Sequence, residues 1–204
     1  MKLSNAEMQE IDTILEKYCN TKEALSMKNF CQHGSVSTYK HVMYVTRVCY
    51  YLNKHFGLGA DVKSLVVGAF LHDFYLYDWH EKDDSHKWHG FSHAHTALLN
   101  ADARFALTDK ERDIIAHHMW PLNLTKLPRC REALLVCLVD KYCSTVETLT
   151  MRSAESAFRF AAGKADETLK SSVLACTNQN CLFKIIRKSL LIFLIFLIPD
   201  EILL

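Results

Sequence analysis

The chain has 204 residues, with 24 Lys and Arg against 23 Asp and Glu, and its net charge of +1 excludes a strongly basic nucleic-acid-binding protein. Hydrophobic residues make up 50% and charged residues 23%, a balance that excludes a mostly disordered chain. Only 6 Gly and 3 Pro are present, fewer than a β-sandwich or barrel with many tight turns would need. The composition therefore favours helices.

The first part of the chain carries the start and stop signals of three helices. Ser4 and Glu7 have the spacing of a capping box, which predicts a helix start. A polar stretch over residues 29–37 separates this helix from the next, which Gly57 ends. Asp61 then caps the most apolar of the three helices. The predicted helices span residues 4–18, 38–54 and 62–75.

The second part begins with a polar, aromatic and His-rich stretch over residues 78–92, which predicts a long loop. Thr108 and Glu111 form a second capping box, and the pair Trp120–Pro121 ends the helix that this box starts. Pro128 suits the first turn of the following helix. The predicted helices of this part span residues 93–102, 108–119, 128–150 and 153–169. Because no strand-like alternation is apparent, the sequence predicts an all-α chain.

We expect a His-bearing helical domain over residues 1–150 and a C-terminal helical extension over residues 151–204. The extension contains an unbroken apolar run at residues 190–198, about half of the length that a membrane-spanning helix needs. We therefore expect no true membrane span. The run would be buried or would cover the apolar surface of a partner, and a second copy of the chain would make the protein a homo-oligomer. An interfacial membrane contact is the alternative.

The N-terminal residues are amphipathic and include acidic side chains, without the apolar core of a signal peptide. The chain has 8 Cys, and no two of them have the Cys-x-x-Cys spacing that is typical of zinc ribbons. Without an export signal, we expect a cytoplasmic protein whose thiols are reduced and mostly buried.

Histidines are the main chemical signal, since 8 of the 11 fall between residues 72 and 118. The spacing of neighbouring apolar residues places His41, His72 and Asp140 on the inward faces of separate helices. A buried carboxylate is costly unless it is paired or bound to a metal. Imidazole together with carboxylate suits Fe, Mn, Ni, Co or Zn, and helical bundles build such sites from converging side chains. Four other histidines are expected on the surface or in loops: His33, His55, His80 and His86.

An ordered set of His and Asp residues runs through the predicted helices: His41, the adjacent pair His72–Asp73, further histidines, and Asp140. Together with the segments HDFYLYDWH from residue 72, HHMWP from residue 117 and VDKYC from residue 139, this set resembles the HD-domain metal-dependent phosphohydrolase superfamily over residues 38–143. The resemblance implies a compact HD-type bundle of helices in which His41, His72, Asp73 and Asp140 hold one divalent metal ion.

Members of that superfamily that hold two metal ions have two further His ligands. The resemblance implies His93 and His118 for these positions, with Asp73 bridging the two ions. Adjacent residues of a helix point about 100° apart, so only one of two neighbouring histidines is expected to face the site. The alternatives that the apolar spacing leaves open are His89 and His95 for the first position and His117 for the second. The implied cofactor is one or two divalent transition-metal ions per chain.

The resemblance also implies a reaction, the hydrolysis of a phosphomonoester or phosphodiester by metal-activated water. The substrate would be a nucleotide or another small phosphorylated molecule, and a polymeric nucleic acid is not expected as a partner. His72, Asp73 and Lys141 would form the catalytic set, with Lys141 as a cation that steers or binds the phosphate. Four candidates for substrate binding at the rim of the pocket are Asp78, Lys82, Lys87 and Arg129.

Two alternative functions are compatible with the same ligands. Some HD proteins hold a di-iron centre and use O₂ to cleave C–C or C–P bonds, and the same six residues would serve such an oxygenase. The other alternative is a non-catalytic module that binds a metal or a ligand and docks a partner through the apolar C-terminal run.

Overall fold

A computed structural model describes residues 2–33, 36–79 and 89–163 of the chain. Within these ranges the backbone forms seven helices and one ribbon of two antiparallel strands, so the all-α prediction is confirmed apart from the ribbon. The helices are α1 (Asn5–Cys19), α2 (Lys22–Ser26), α3 (Thr38–Phe56), α4 (Val62–Leu71), α5 (His89–Asp102), α6 (Asp109–His117) and α7 (Arg131–Gly163). The strands β1 (Cys31–His33) and β2 (Val36–Ser37) lie between α2 and α3.

Capping boxes start two of the helices, as the sequence predicts, and Asp61 caps α4 through a bond from the Ser64 N–H at 2.7 Å. At α1, the Ser4 hydroxyl accepts from the Glu7 N–H at 3.3 Å, and the Glu7 carboxylate accepts from the Ser4 N–H at 2.7 Å. Thr108 and Glu111 repeat this arrangement at α6, with distances of 3.3 and 2.7 Å. Gly57 ends α3 in the left-handed conformation, with φ of 63°. These boundaries follow from local sequence, because the caps satisfy backbone groups that a helix end leaves without partners.

Helix α4 is the centre of the described fold. Its residues 64–71 are buried, and it packs against α1, α3 and α6, while α5 packs against α6. Gly68 permits the close approach of α6, because a Cβ atom there would lie 2.4 Å from Cδ1 of Ile114. The C-terminal end of α4 therefore lies in the interior of the bundle, where buried polar side chains need hydrogen-bond or charged partners.

Two predicted boundaries beside the core differ from the structure. Helix α4 ends at Leu71 instead of residue 75. Beyond it the Phe74 N–H donates to the Leu71 carbonyl at 3.1 Å in a tighter turn, and the Asn100 side chain donates to the carbonyls of Phe74 and Tyr75. Helix α5 begins at His89, four residues before its predicted start. The predicted start at residue 93 was wrong because the polar composition of residues 78–92 indicated a loop throughout.

Further differences from the predicted elements lie before α4 and after α5. The polar stretch that was predicted only as a connection at residues 29–37 contains the ribbon of β1 and β2. Helix α7 begins at Arg131, so Pro128 lies outside its first turn. It then continues to Gly163 without the predicted break between residues 150 and 153, since neither Gly nor Pro occurs before residue 163 to end it.

The chain divides into two compact units, Met1–Thr148 and Leu149–Leu204, and the side chains considered below belong to the first. The division into domains over residues 1–150 and 151–204 stays a prediction. The apolar run at residues 190–198 lies outside the described residues. Among the helices of the described ranges, none has the length and apolar character that crossing a membrane requires.

Candidate metal centre

Six buried His and Asp side chains meet in the described part of the chain, in two groups of three. We name them the first group, His41, His72 and Asp140, and the second group, Asp73, His93 and His118. Within each group the candidate ligand atoms all lie within 4.8 Å of one another. The structure therefore brings together the six residues that the sequence and the resemblance indicate.

Five helices position these side chains. His41 lies in α3, His72 and Asp73 directly follow α4, His93 lies in α5, His118 directly follows α6, and Asp140 lies in α7. Because α4 packs against both α3 and α6, residues that are far apart in the sequence converge at the end of α4. Because α4 ends at Leu71, His72 and Asp73 lie just beyond its C-terminal end rather than along its side.

In the first group, Asp140 is the shared acceptor. Its Oδ1 atom lies 3.1 Å from His41 Nε2 and 3.6 Å from His72 Nε2. His72 Nδ1 lies 2.7 Å from the Ala69 carbonyl, which can only accept, so the neutral ring carries its lone pair on Nε2. His72 Nε2 is buried and has no hydrogen-bond partner within the described residues. A proton or a metal cation on this nitrogen would offset the charge of the nearby carboxylate.

In the second group, two ring nitrogens face each other, with His93 Nε2 and His118 Nε2 2.9 Å apart. His118 Nδ1 donates to the Ile115 carbonyl at 2.9 Å, so Nε2 of its neutral ring carries the lone pair. Asp73 Oδ1 lies 3.3 Å from His93 Nε2 and 3.5 Å from His118 Nε2. It is buried and has no partner with hydrogen-bond geometry within the described residues. Lone pairs of nitrogen and oxygen thus converge, an arrangement that suits a cation.

Asp73 connects the two groups through its two carboxylate oxygens. Oδ1 faces the second group, whereas Oδ2 lies 3.3 Å from His72 Nε2 and 3.8 Å from His41 Nε2 in the first group. One carboxylate therefore has an oxygen atom beside each candidate metal position, which is the arrangement that a bridging ligand requires.

The two groups differ in how they shift histidine pKa values. Burial alone would lower the pKa of His41, but hydrogen bonds to two carboxylates outweigh burial and raise the pKa to about 9. At His72, burial is likewise outweighed by the charge of Asp73 and by other carboxylate contacts, which raise the pKa to about 10. Burial dominates at His118 and lowers its pKa. The first group is therefore the more strongly anionic environment.

Two further buried residues hold the candidate ligands in place. Glu147 Oε2 accepts from His41 Nδ1 at 2.9 Å, which directs His41 Nε2 towards the first group. Gln32 Nε2 donates to Asp73 Oδ2 at 2.7 Å. Sequence reasoning missed both. Glu147 had a signal, since it lies two helical turns after Asp140 in α7, but Gln32 lies in the short strand β1, where no periodicity identifies it.

The structure also places the alternative histidines. His117 Nδ1 pairs with Asp113 at 2.6 Å, and His117 belongs to neither group. His95 is exposed on α5. His89 is the first residue of α5, one turn before His93. The geometry therefore favours His93 and His118 as the second pair of His ligands.

Three of the remaining predicted site residues are described, and they lie outside the two groups. Lys141 donates to the His118 carbonyl at 2.7 Å, and its Nζ lies 3.8 Å from Asp140 Oδ2. Asp78 is half-buried, and Arg129 is exposed, with its backbone N–H bonded to Asp113. Lys82 and Lys87 lie outside the described residues. The substrate-binding role of these residues stays a prediction.

Comparison with known proteins places the centre in a family. No curated protein and no solved structure matches the chain. The family model described as HD domain matches residues 38–145, which is more than half of the chain and includes all six residues of the two groups. The match begins at the first residue of α3 and ends within α7. The chain therefore belongs to the HD domain family.

Proposed function

We propose that this chain is a metal-dependent phosphohydrolase that hydrolyses a small phosphomonoester or phosphodiester at a centre of two divalent transition-metal ions. The observation that carries the proposal is the pair of buried three-residue groups that share Asp73. Membership of the HD domain family supports a hydrolase-type centre. The phosphate ester is what the resemblance to HD-domain phosphohydrolases implies, and the number of ions is inferred from the two groups.

The residues present fit such ions. Two buried atoms, His72 Nε2 and Asp73 Oδ1, have no hydrogen-bond partner in the described structure, and each belongs to a different group. An orphaned buried acceptor is costly unless a proton or a cation accompanies it. In the proposal, the first group holds one ion, His93 and His118 hold the other, and Asp73 is shared. Imidazole and carboxylate donors suit Fe, Mn, Ni, Co or Zn.

The bound ions would supply a water nucleophile at neutral pH and would offset charge on the phosphoryl group. The chain itself orients the donors: the Ala69 and Ile115 carbonyls fix the ring orientation of His72 and His118. Lys141, whose side chain is 35% exposed, is held beside Asp140, where its charge would attract an anionic ester.

Cysteine nucleophiles fit the site poorly. Cys49 and Cys143 are fully buried, and burial raises the pKa of both thiols well above the ordinary value. A thiol that remains protonated is a weak nucleophile. This favours water as the attacking group.

The test is phosphate release by the full chain after reconstitution with Mn²⁺, Fe²⁺, Co²⁺, Ni²⁺ or Zn²⁺. The panel contains p-nitrophenyl phosphate, its bis ester, nucleoside monophosphates and cyclic nucleotides. We expect turnover with at least one metal, and its loss in Asp73→Asn. The matched control is His117→Gln, because His117 neighbours His118 in the sequence but belongs to neither group.

Three results would contradict the proposal. Turnover that is equal in Asp73→Asn and the wild type would show that the centre is not used. Oxygen consumption by the iron form, with no ester hydrolysed, would indicate the oxygenase alternative. Tight binding of an ester without turnover under any metal would indicate a binding module.

A further inference from the structure

The Gln32 side chain is buried beside the centre and is bonded at both ends of its amide. Its Nε2 donates to Asp73 Oδ2 at 2.7 Å. Its Oε1 accepts from the Tyr75 hydroxyl and from the Thr38 hydroxyl, the latter at 3.2 Å. The two hydroxyl oxygens are themselves 3.1 Å apart. Gln32 therefore joins Asp73 to a small buried network of hydroxyl groups.

The chemistry of the partners determines the orientation of this amide. A carboxylate only accepts hydrogen bonds, so the end of Gln32 that faces Asp73 must be its NH₂ group. The opposite orientation would bring the amide oxygen against a carboxylate oxygen. The Tyr75 and Thr38 hydroxyls complete the arrangement, because both can donate to the amide oxygen. The network holds Gln32 as a donor to Asp73.

Gln32 lies in the two-stranded ribbon, which is the only sheet among the residues that the structure describes. Gln32 is the middle residue of β1, and the ribbon is closed onto the start of α3 by a hydrogen bond from the Thr38 N–H to the Phe30 carbonyl at 2.9 Å. Thr38 thus anchors the ribbon with its backbone and Gln32 with its side chain. The ribbon thus places the side-chain amide of Gln32 within hydrogen-bond distance of Asp73.

We infer that Gln32 is a positioning residue for the second metal position: it holds Oδ2 of Asp73 so that Oδ1 stays directed at His93 and His118. This inference rests on the proposed metal centre. Rotation of the Asp73 carboxylate would move Oδ1 away from both rings, and the Gln32 bond opposes that rotation. The second group has no other carboxylate, whereas the first group keeps Asp140. Loss of Gln32 should therefore weaken the second ion more than the first.

The test measures metal binding directly. Metal-free full chain is titrated with Mn²⁺, and free Mn²⁺ is followed by electron paramagnetic resonance, which also reports spin coupling between two neighbouring ions. For Gln32→Leu we expect the weaker dissociation constant to rise about 10–100-fold, as is typical for residues that support a metal ligand. The tighter constant should change little, and the coupled signal should disappear.

A second variant separates positioning from a general loss of stability. Tyr75→Phe keeps the buried ring and removes one donor to Gln32, so it should weaken the second ion by a smaller factor. Because Tyr75 acts through Gln32, the double variant Gln32→Leu/Tyr75→Phe should bind no more weakly than Gln32→Leu alone. The matched control is Gln9→Leu on the exposed face of α1, which should leave both constants unchanged.

Wild-type constants and an intact coupled signal in folded Gln32→Leu would overturn the inference. If Gln32→Leu does not fold, wild-type binding in Tyr75→Phe would overturn it instead. A wild-type chain that binds two ions but hydrolyses no ester would contradict the proposed reaction and leave the role of Gln32 to be decided by the variants. A wild-type chain that binds no second ion would overturn the two-ion centre and this inference together.

Discussion

The two groups of the centre have similar side chains but different surroundings. In the first group, His41 lies between Asp140 and Glu147. Burial lowers the pKa of His41, but its bonds to these two carboxylates outweigh burial and raise the pKa to about 9. In the second group, Asp73 is the single carboxylate, and burial lowers the pKa of His118. A more anionic group attracts a cation more strongly, but it also binds protons more strongly. We therefore expect the first group to hold the tighter ion and to show the steeper dependence of metal affinity on pH.

The largest expected effect is that of Asp73→Asn, which removes the carboxylate that both groups share. Supporting residues alone typically change metal affinity about 10–100-fold, so the loss of a shared ligand should weaken the second ion by more than about 100-fold. The first ion should weaken less, because Asp140 remains. Isothermal titration of the metal-free chain measures both dissociation constants. An equal rise of the two constants would contradict the expected difference between the groups.

Substitutions confined to one group should affect the binding of the two ions differently. His93→Gln is expected to leave one tight ion per chain, whereas Asp140→Asn should remove the tight ion and leave weak binding at most. Elemental analysis after gel filtration counts the ions that remain bound. The matched control is His117→Gln, which should retain the wild-type content because His117 pairs with Asp113. Equal metal content in His93→Gln and Asp140→Asn would contradict the difference between the groups.

The substitution Glu147→Gln tests the anionic surroundings of the first group through the pH dependence of the protein's stability. In the metal-free protein, the pKa of His41 is raised from 6.5 to about 9, so the stability that it contributes is fully present below pH 6.5 and is lost as the pH rises through 9. Removing the Glu147 charge lowers this folded-state pKa and makes that loss smaller. Urea unfolding of metal-free wild type and variant at pH 6, 7.5 and 9.5 measures the difference, and parallel pH profiles would contradict it.

The smallest expected effect lies outside both groups. Thr108→Ala removes the side-chain cap of α6 and should lower the free energy of unfolding by about 1 kcal/mol. Metal content should be unchanged, because the cap is at the opposite end of α6 from His118. Thermal unfolding and elemental analysis of the same sample check both expectations. Loss of metal in this variant would show that the centre depends on the whole helix rather than on its C-terminal end.

The sequence predicted the positions of the candidate ligands better than their supports. Apolar spacing placed His41, His72 and Asp140 on inward faces, because long helices repeat their buried face many times. Gln32 had no such signal, since β1 has only 3 residues and β2 only 2, too few to show alternation. Its role arises from a contact across 41 residues of sequence, which only the folded chain reveals.

Boundaries were predicted where a side chain of the same segment determines them. The capping boxes of α1 and α6 are local, and both starts are confirmed. The segment after α4 is bonded to Asn100, a residue of another helix, and the sequence of α4 alone gave no reason to stop at Leu71. The first turn of α5, which begins at His89, was missed because the polar composition of residues 78–92 indicated a loop.

The most direct test of the central claim is the metal content of the reconstituted full chain beside that of Asp73→Asn. The claim is that two buried groups sharing Asp73 hold two divalent ions. It predicts about two ions per wild-type chain, as in other two-metal sites, and a clear loss in the variant. No bound metal in the wild type, or the same content in both proteins, would contradict it.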